Sequence, residues 1–164
     1  MFPCPCGYYN HPDRACVCGP GIVQRYLNKI SGPLLDRIDL HVEVTPVSFD
    51  ELANDFPTEG SKEIRKRVEE TRKLQQQRYG IKSGIHCNAQ MSKKELDGYC
   101  KIDKEGTALL KNAMDRMGLS ARAYDRILKV ARTIADIDKA ETIKSNHLAE
   151  AIQFRSLDRE GWAG

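Results

Sequence analysis

Apolar residues recur at the spacing of an α-helix through most of the second half of this chain. The strongest pattern follows Ser120, where a stripe of five apolar residues runs beside a second stripe of four, and so wide an apolar face must be largely buried. Asp103 and Gly118 are placed to cap the two ends of the preceding helix, and Ser145 is expected to cap a final one. These segments predict helices joined by short connections.

Two further helices are predicted before them. Ser92 and Glu95 form the signature of a capping box for a short helix that ends near Cys100. Residues 61–79 carry seven cations and three acids around a thin apolar stripe of Ile64, Val68, Thr71 and Leu74. Such a basic helix can face phosphate, although a solvated surface is the more ordinary explanation of a charge run. We therefore predict a mainly α fold, with a bundle of about four helices.

The first third of the chain has a different pattern. Residues 22–30 show the spacing of one short helix, and residues 38–44 alternate apolar and polar side chains as in a strand that ends at Pro46. We predict a surface connection over residues 47–60, between an N-terminal part (residues 1–55) and a helical domain (residues 61–158). Since a lone strand cannot bury both its faces, residues 1 to about 55 are expected to be poorly ordered or rearranged on their own.

The composition narrows the class of protein without identifying it. The 164 residues are enough for a core, and a net charge of +3 with a pI near 8.5 permits a nucleic-acid or nucleotide partner without requiring one. No apolar run approaches the roughly 20 residues that cross a bilayer, so we expect a cytoplasmic protein without a membrane partner. The phosphate-binding loop, the zinc-protease motif and the nucleophile elbow are all missing from the sequence.

Four cysteines lie close together near the start of the sequence, in two Cys-x-Cys pairs around a turn rich in Gly, Pro, Asn and His: Cys4, Cys6, Cys16 and Cys18. Two thiol pairs on a tight loop suit the tetrahedral coordination of a structural zinc ion. Two disulfides, or thiols without a role, are the alternatives, although nothing like the signal peptide of a secreted protein opens the sequence. Cys87 and Cys100 lie far from this group and are expected to be buried as small apolar residues.

Two arginines stand at positions where phosphate is often bound. Arg37 lies between a short turn and the predicted strand, where its planar cation can reach outward or form an ion pair with Asp36 or Asp39. Arg122 falls in the first turn of the helix predicted after Ser120. The N-terminal end of a helix disfavours cations unless an anion shares the site. Ordinary solvent exposure is the alternative for Arg122. The residue pattern alone leaves both choices open.

Three blocks of sequence together resemble a known family. They are the Cys-Pro-Cys-Gly-Tyr block that begins at Cys4, the Ser-Gly-Pro-Leu-Leu-Asp-Arg-Ile-Asp-Leu block of residues 31–40, and the Gly-Leu-Ser-Ala-Arg-Ala-Tyr-Asp-Arg-Ile block of residues 118–127. Over nearly its whole length the chain is similar to the C-terminal part of the magnesium-chelatase-like AAA+ ATPases of the YifB/ComM competence type. The resemblance implies the end of an AAA+ core followed by its four-helix lid.

The resemblance also implies roles for single residues. Arg37 matches the arginine finger, which would reach across a ring interface to a neighbouring subunit's ATP, and Arg122 matches the sensor-2 arginine, which would touch the γ-phosphate of its own subunit. The four-cysteine motif matches a zinc-binding insert of the competence-type members. Where the family usually has the sensor-1 asparagine before Pro3, this chain has Phe2, so the resemblance assigns no sensor 1 here.

Partners and cofactors follow from the same resemblance. The phosphate-loop segments of such proteins lie upstream, so we expect an upstream AAA+ core of the same protein, a homo-hexameric ring, ATP with Mg²⁺, and DNA that the ring remodels or translocates. The isolated chain is expected to be a monomer that does not hydrolyse ATP. A zinc-dependent adaptor that binds nucleic acid or protein is the alternative function. A subunit that inserts magnesium into porphyrin fits the cysteine motif less well.

Overall fold

A computed structural model of the chain describes residues 4–42, 44, 47, 53, 59–80 and 84–155. Its helices are α1 (Pro20–Leu27), α2 (Gly32–Leu35), α3 (Ser61–Tyr79), α4 (Lys93–Tyr99), α5 (Lys104–Met117), α6 (Ala121–Ile137) and α7 (Ser145–Gln153), and a 3-10 turn covers Asn88–Gln90. The described residues contain no strand. The mainly α fold class that the sequence predicts is therefore confirmed.

Helix α6 is the centre of the helical domain. It packs against α3, α4, α7 and the 3-10 turn, while α5 packs against α7. Its apolar side chains meet Leu110 of α5 and Leu148 of α7 in one buried core, to which α6 contributes Ile127, Leu128, Ala131, Ile134 and Ala135. The wide apolar face predicted for this helix is buried because helices cover it on several sides.

Four of the predicted helix ends have the expected capping chemistry, and the first is the capping box at the start of α4, where the Ser92 N–H donates to Glu95 Oε2 at 2.9 Å. Asp103 accepts a hydrogen bond from the Gly106 N–H at 2.7 Å, and Ser120 accepts one from the Ala123 N–H at 3.2 Å. Gly118 ends α5 in the left-handed conformation, with a φ of 60°, which costs glycine little because it has no Cβ. These hydrogen bonds satisfy backbone groups that the helices themselves leave open.

The cap predicted for the last helix was wrong by one residue. Helix α7 begins at Ser145, so its N-cap is Lys144, whose N–H donates to Nδ1 of His147 at 3.1 Å. The ring of His147, the third residue of the helix, thus accepts from the backbone of the N-cap residue, whereas the predicted serine hydroxyl would have accepted from a backbone N–H inside the first turn.

Helix α3 buries less of its apolar stripe than the sequence predicts. Thr71 and Gln75 are buried, whereas Ile64 and Val68 remain 42% and 51% exposed. Residues 61–69 are exposed at every position. Only the C-terminal half of α3 therefore packs on the bundle.

The strand predicted over residues 38–44 does not form at the described residues 38–42 and 44. A strand needs a neighbouring strand to pair with, and the described part of the chain contains none. Instead, Ile38 O accepts a hydrogen bond from Arg155, and the His41 N–H donates to Phe154 O at 2.8 Å. The apolar side chains of the pattern remain exposed on Ile38, Leu40, Val42 and Val44.

The N-terminal part consists of the cysteine loop with α1 and α2. The short helix that residues 22–30 predict is confirmed as α1, whereas α2 forms where we predicted only a turn. The division at residues 1–55 and 61–158 stays a prediction. The position of Phe2, the end of the predicted strand at Pro46 and most of the predicted connection over residues 47–60 lie outside the described residues.

Candidate metal and phosphate-binding sites

The four cysteines near the N-terminus converge. Their Sγ atoms all lie within 4.8 Å of one another, with 3.3 Å between Cys4 and Cys6, 3.7 Å between Cys4 and Cys16, and 3.5 Å between Cys6 and Cys16. Thiolates bound to a tetrahedral zinc ion at about 2.3 Å lie about 3.8 Å from one another, so both the type and the spacing of the donors fit this metal. All six cysteines of the chain are free thiols. The disulfide alternative is therefore wrong.

A turn and a helix hold these cysteines in place. Gly7 has a φ of 83°, which lets the chain reverse directly after the first thiol pair, and its N–H donates to Cys4 O at 3.1 Å. Val23 and Leu27 of α1 are buried against Cys4, which is itself fully buried. The cluster thus forms the centre of a small core between the loop and α1.

The thiols of the cluster differ in acidity. The hydrogen bond from the Tyr8 backbone lowers the pKa of Cys6 to about 6. The backbone of Cys18 acts to lower the pKa of Cys16, but loss of hydration and the neighbouring sulphurs outweigh it and raise that pKa to about 12. A thiolate at Cys6 beside a protonated Cys16 gives a divalent cation a first ligand, and binding of the cation can then displace the proton of Cys16.

Arg37 and Arg122 are both exposed, and neither forms an ion pair with another described residue. Asp39 pairs with Arg126 of α6 instead, and Asp36 Oδ1 lies 4.0 Å from Nη2 of Arg155. The alternative in which Arg37 pairs with Asp36 or Asp39 is therefore wrong. Both candidate phosphate-binding arginines remain available to an anion.

The ion pair between Asp39 and Arg126 connects the two candidate positions. Arg122 is the second residue of α6 and lies one turn before Arg126, on the same face of the helix. Arg37 lies two residues before Asp39 in the chain. The segment that carries Arg37 is thus docked on the half of α6 that carries Arg122.

A buried polar network that the sequence analysis missed fixes α6 against α3 and the 3-10 turn. Asp136 of α6 is 2% exposed and accepts hydrogen bonds from Arg78 Nη1 at 2.7 Å, from Asn88 Nδ2 at 2.8 Å and from Arg132 Nε at 3.1 Å. Arg132 also donates to the carbonyl oxygens of residues 140 and 141. An acid four residues after an arginine in an otherwise apolar stripe was the signal that could have revealed it.

Burial by itself would raise the pKa of Asp136, but the hydrogen bonds from Arg78 and Asn88 outweigh it and hold that pKa below its usual value. The same contact with Asp136 raises the pKa of Arg78. Both groups are therefore charged at neutral pH, and the network positions α6 rather than offering a free group to a ligand.

Comparison with known proteins identifies the family. The family model for the C-terminal domain of the magnesium chelatase subunit ChlI matches residues 58–155, and the model for the ChlI subunit itself matches residues 1–52. The chain is 39% identical to competence protein ComM of Haemophilus influenzae and 38% identical to YifB of Escherichia coli, each over 97% of its own length. It belongs to the magnesium-chelatase-like ComM/YifB family. The resemblance stated from the sequence is thereby confirmed.

This ComM/YifB-family chain spans 30% of the length of these curated relatives, and the same holds for YifB of Salmonella typhimurium, with which it shares 37% identity. The helices that follow residue 58 are the C-terminal helical domain of the family. None of the described helices is long and apolar enough to cross a membrane.

Proposed function

We propose that this chain is the lid and finger region of an AAA+ ATPase, in which Arg37 and Arg122 serve ATP hydrolysis in a ring of identical subunits. The observation that carries the proposal is that both arginines are exposed, have no ion-pair partner among the described residues, and lie on segments that one ion pair joins. A guanidinium near the transferring phosphoryl group neutralises the charge that develops there. Membership of the magnesium-chelatase-like family supports the same function.

The partner that this function requires is an AAA+ core from the same protein, which would supply the site for ATP and Mg²⁺. The exposed apolar side chains of the predicted strand support such a partner, since Val42 is 65% and Val44 is 87% exposed. An alternating apolar segment of this kind gains stability when neighbouring strands and helices cover it. In the assembled ring, the substrate would be DNA that is remodelled or translocated, which the name of the competence relative suggests.

A structural zinc ion bound by Cys4, Cys6, Cys16 and Cys18 completes the proposal. Zinc would cross-link the two thiol pairs and hold the loop on α1, where Val23 and Leu27 already contact the cluster. Its role is to stabilise this part of the fold, because four thiolates leave no open position for a reacting ligand.

The experiment is ATP hydrolysis by a longer protein that carries this chain behind its nucleotide-binding core. Arg37→Ala is expected to lower kcat by about 10³-fold, the lower end of the range for arginine fingers. Arg122→Ala should lower kcat/KM, and Arg116→Ala, an exposed arginine of α5, is the matched control that should change neither. The 164-residue chain alone should show no turnover.

Mixing of subunits tests whether Arg37 acts on a neighbour. Arg37→Ala subunits combined with subunits that cannot bind ATP should regain part of the activity, because the second type supplies fingers to the sites of the first. Full kcat in the Arg37→Ala protein, or an unchanged kcat/KM in the Arg122→Ala protein, would rule the proposal out.

A zinc-dependent adaptor for nucleic acid is the second candidate, and the exposed face of α3 favours it. Five cations of this helix are exposed and have no carboxylate within ion-pair distance among the described residues: Lys62, Arg65, Lys66, Arg72 and Lys73. Glu70, on the same helix, instead pairs with Lys139 at 2.9 Å. Unpaired cations along a helix face suit a row of phosphates.

A further inference from the structure

The segment of residues 36–41 is fixed to the helical domain at two separate places. The first lies on α6, where Asp39 forms an ion pair with Arg126. The side chains of these two residues are 46% and 31% exposed, so the pair is partly shielded from water. An ion pair of this kind fixes Asp39 relative to Arg126 and so limits how far the segment can shift along α6.

The second place lies just after α7. The Arg155 guanidinium donates to Ile38 O and lies 4.0 Å from Asp36, and the His41 N–H donates to Phe154 O at 2.8 Å. Together with the ion pair on α6, these contacts hold both ends of the short segment that carries Arg37. Only one residue, Ile38, separates Arg37 from Asp39.

A contribution to the stability of the fold does not by itself explain why arginine occupies positions 126 and 155. Arg155 is 0% exposed, and a buried cation is costly unless several acceptors surround it. An apolar side chain of similar volume often stabilises a fold as well as a buried ion pair does. A guanidinium differs from an apolar side chain because its planar group donates hydrogen bonds only in fixed directions. The positions of its acceptors, and so of the segment of residues 36–41, are therefore specified.

We propose that Arg126 and Arg155 are positioning residues, which hold the turn of Arg37 at a fixed place on the helical domain so that Arg37 and Arg122 move as one body. This inference rests on the proposed function, in which both arginines approach a triphosphate. A change of angle of the helical domain, driven by contact of Arg122 with phosphate, would then also move Arg37. Binding at one arginine would set the position of the other.

Amide exchange in the 164-residue chain tests the attachment directly. Asp39→Arg and Arg126→Asp each replace the ion pair by like charges, and the exchange rate of the His41 N–H should rise about five- to tenfold. The double variant with both changes restores opposite charges and should return the rate to within about twofold of the original. The Ala131 N–H, inside α6, reports global unfolding and should exchange at the same rate in all of these proteins.

The matched control is the charge reversal of another ion pair between separate elements, Glu70→Lys with Lys139→Glu, which should leave the His41 N–H rate unchanged. Unchanged exchange at His41 in both single variants would overturn the inference. If the His41 N–H exchanged as fast in the double variant as in the single variants, the inference would also be overturned, because the effect would then not come from the pairing of the charges.

The consequence for hydrolysis is measured in the longer protein. Arg126→Asp should lower kcat about tenfold with KM changed less than about twofold, and the second change Asp39→Arg should restore kcat. A merely destabilising substitution would not be rescued by a second charge reversal. If the exchange results hold but Arg37→Ala leaves kcat unchanged, the proposed function fails while the attachment of the segment stands.

Discussion

Arginine side chains in the described part of this chain occupy three electrostatic environments. Arg132 is buried beside Asp136, Arg126 is partly exposed in its ion pair with Asp39, and Arg37 is exposed without a carboxylate partner among the described residues. Because a guanidinium stays charged at physiological pH, the environment decides whether it organises the fold or remains available to an anion. The residue type alone does not separate these roles.

The cysteine cluster leads to a prediction about single residues. The chain should bind about one equivalent of zinc when it is purified without chelator, and Cys16→Ser should abolish this binding, because three thiolates hold the ion far less tightly than four. Cys87→Ser, at a cysteine outside the cluster, is the matched control and should keep the metal. Metal analysis with thiol titration checks both.

Four freely titrating thiols in a folded protein without metal would defeat the zinc assignment. The cluster could be predicted from the sequence because its ligands lie close together in the chain, so the local turn at Gly7 suffices to bring them together. Its contact with Val23 and Leu27 could not be predicted, since packing of α1 on the loop depends on the path of the chain between them.

At the scale of helices, the network around Asp136 joins α6 to α3 and to the 3-10 turn. Asp136→Asn should lower the free energy of unfolding by about 3–5 kcal/mol at pH 7, because it leaves two buried or half-buried arginines without their carboxylate. Asp115→Asn, at an exposed position of α5, is the control and should change stability little. Chemical denaturation of both variants measures the difference.

The pH dependence of stability should also change in Asp136→Asn. The folded-state pKa of Asp136 lies below its unfolded value, so its contribution is fully present above the unfolded value of about 3.9 and is lost as pH falls through the lower folded pKa. The variant should therefore lose less stability than the original protein between about pH 5 and pH 2. Identical losses in the two proteins would show that the carboxylate does not carry this contribution.

The existence of most helices could be predicted because their signals are local. The caps at Asp103 and Ser120 and the left-handed Gly118 act within one turn, and the stripe on α6 is visible in the spacing of its residues. The burial of Gln75 in place of Ile64 on α3 could not be predicted, because it depends on where Asp136 lies in space.

At the scale of the whole molecule, binding of DNA by the isolated chain distinguishes the adaptor from the lid of a motor. If the exposed face of α3 contacts phosphates, duplex DNA should bind without nucleotide, and the triple change Lys62→Gln, Lys66→Gln and Lys73→Gln should reduce the slope of log K against log salt by about 2 to 3. Fluorescence anisotropy over a range of salt concentrations gives this slope.

The matched control changes three exposed lysines elsewhere, Lys94→Gln, Lys104→Gln and Lys111→Gln, for the same loss of charge. An equal loss of affinity in both triple variants would mean that DNA binding depends only on the net charge of the chain. The exposed face of α3 would then not be the site of contact. Loss confined to the α3 variant would favour the adaptor.

The sequence by itself determined the helical class of this chain, the family to which it belongs and the convergence of the four cysteines, because periodicity, capping and closely spaced ligands are properties of neighbouring residues. Only the tertiary structure decided the partners of the charged groups. The alternating pattern of residues 38–44 predicts a strand, yet in this fold its backbone bonds to the end of α7, and the aspartates beside Arg37 pair with arginines 87 or more residues away. Ion pairs over such separations depend on how whole helices pack, which no local pattern specifies.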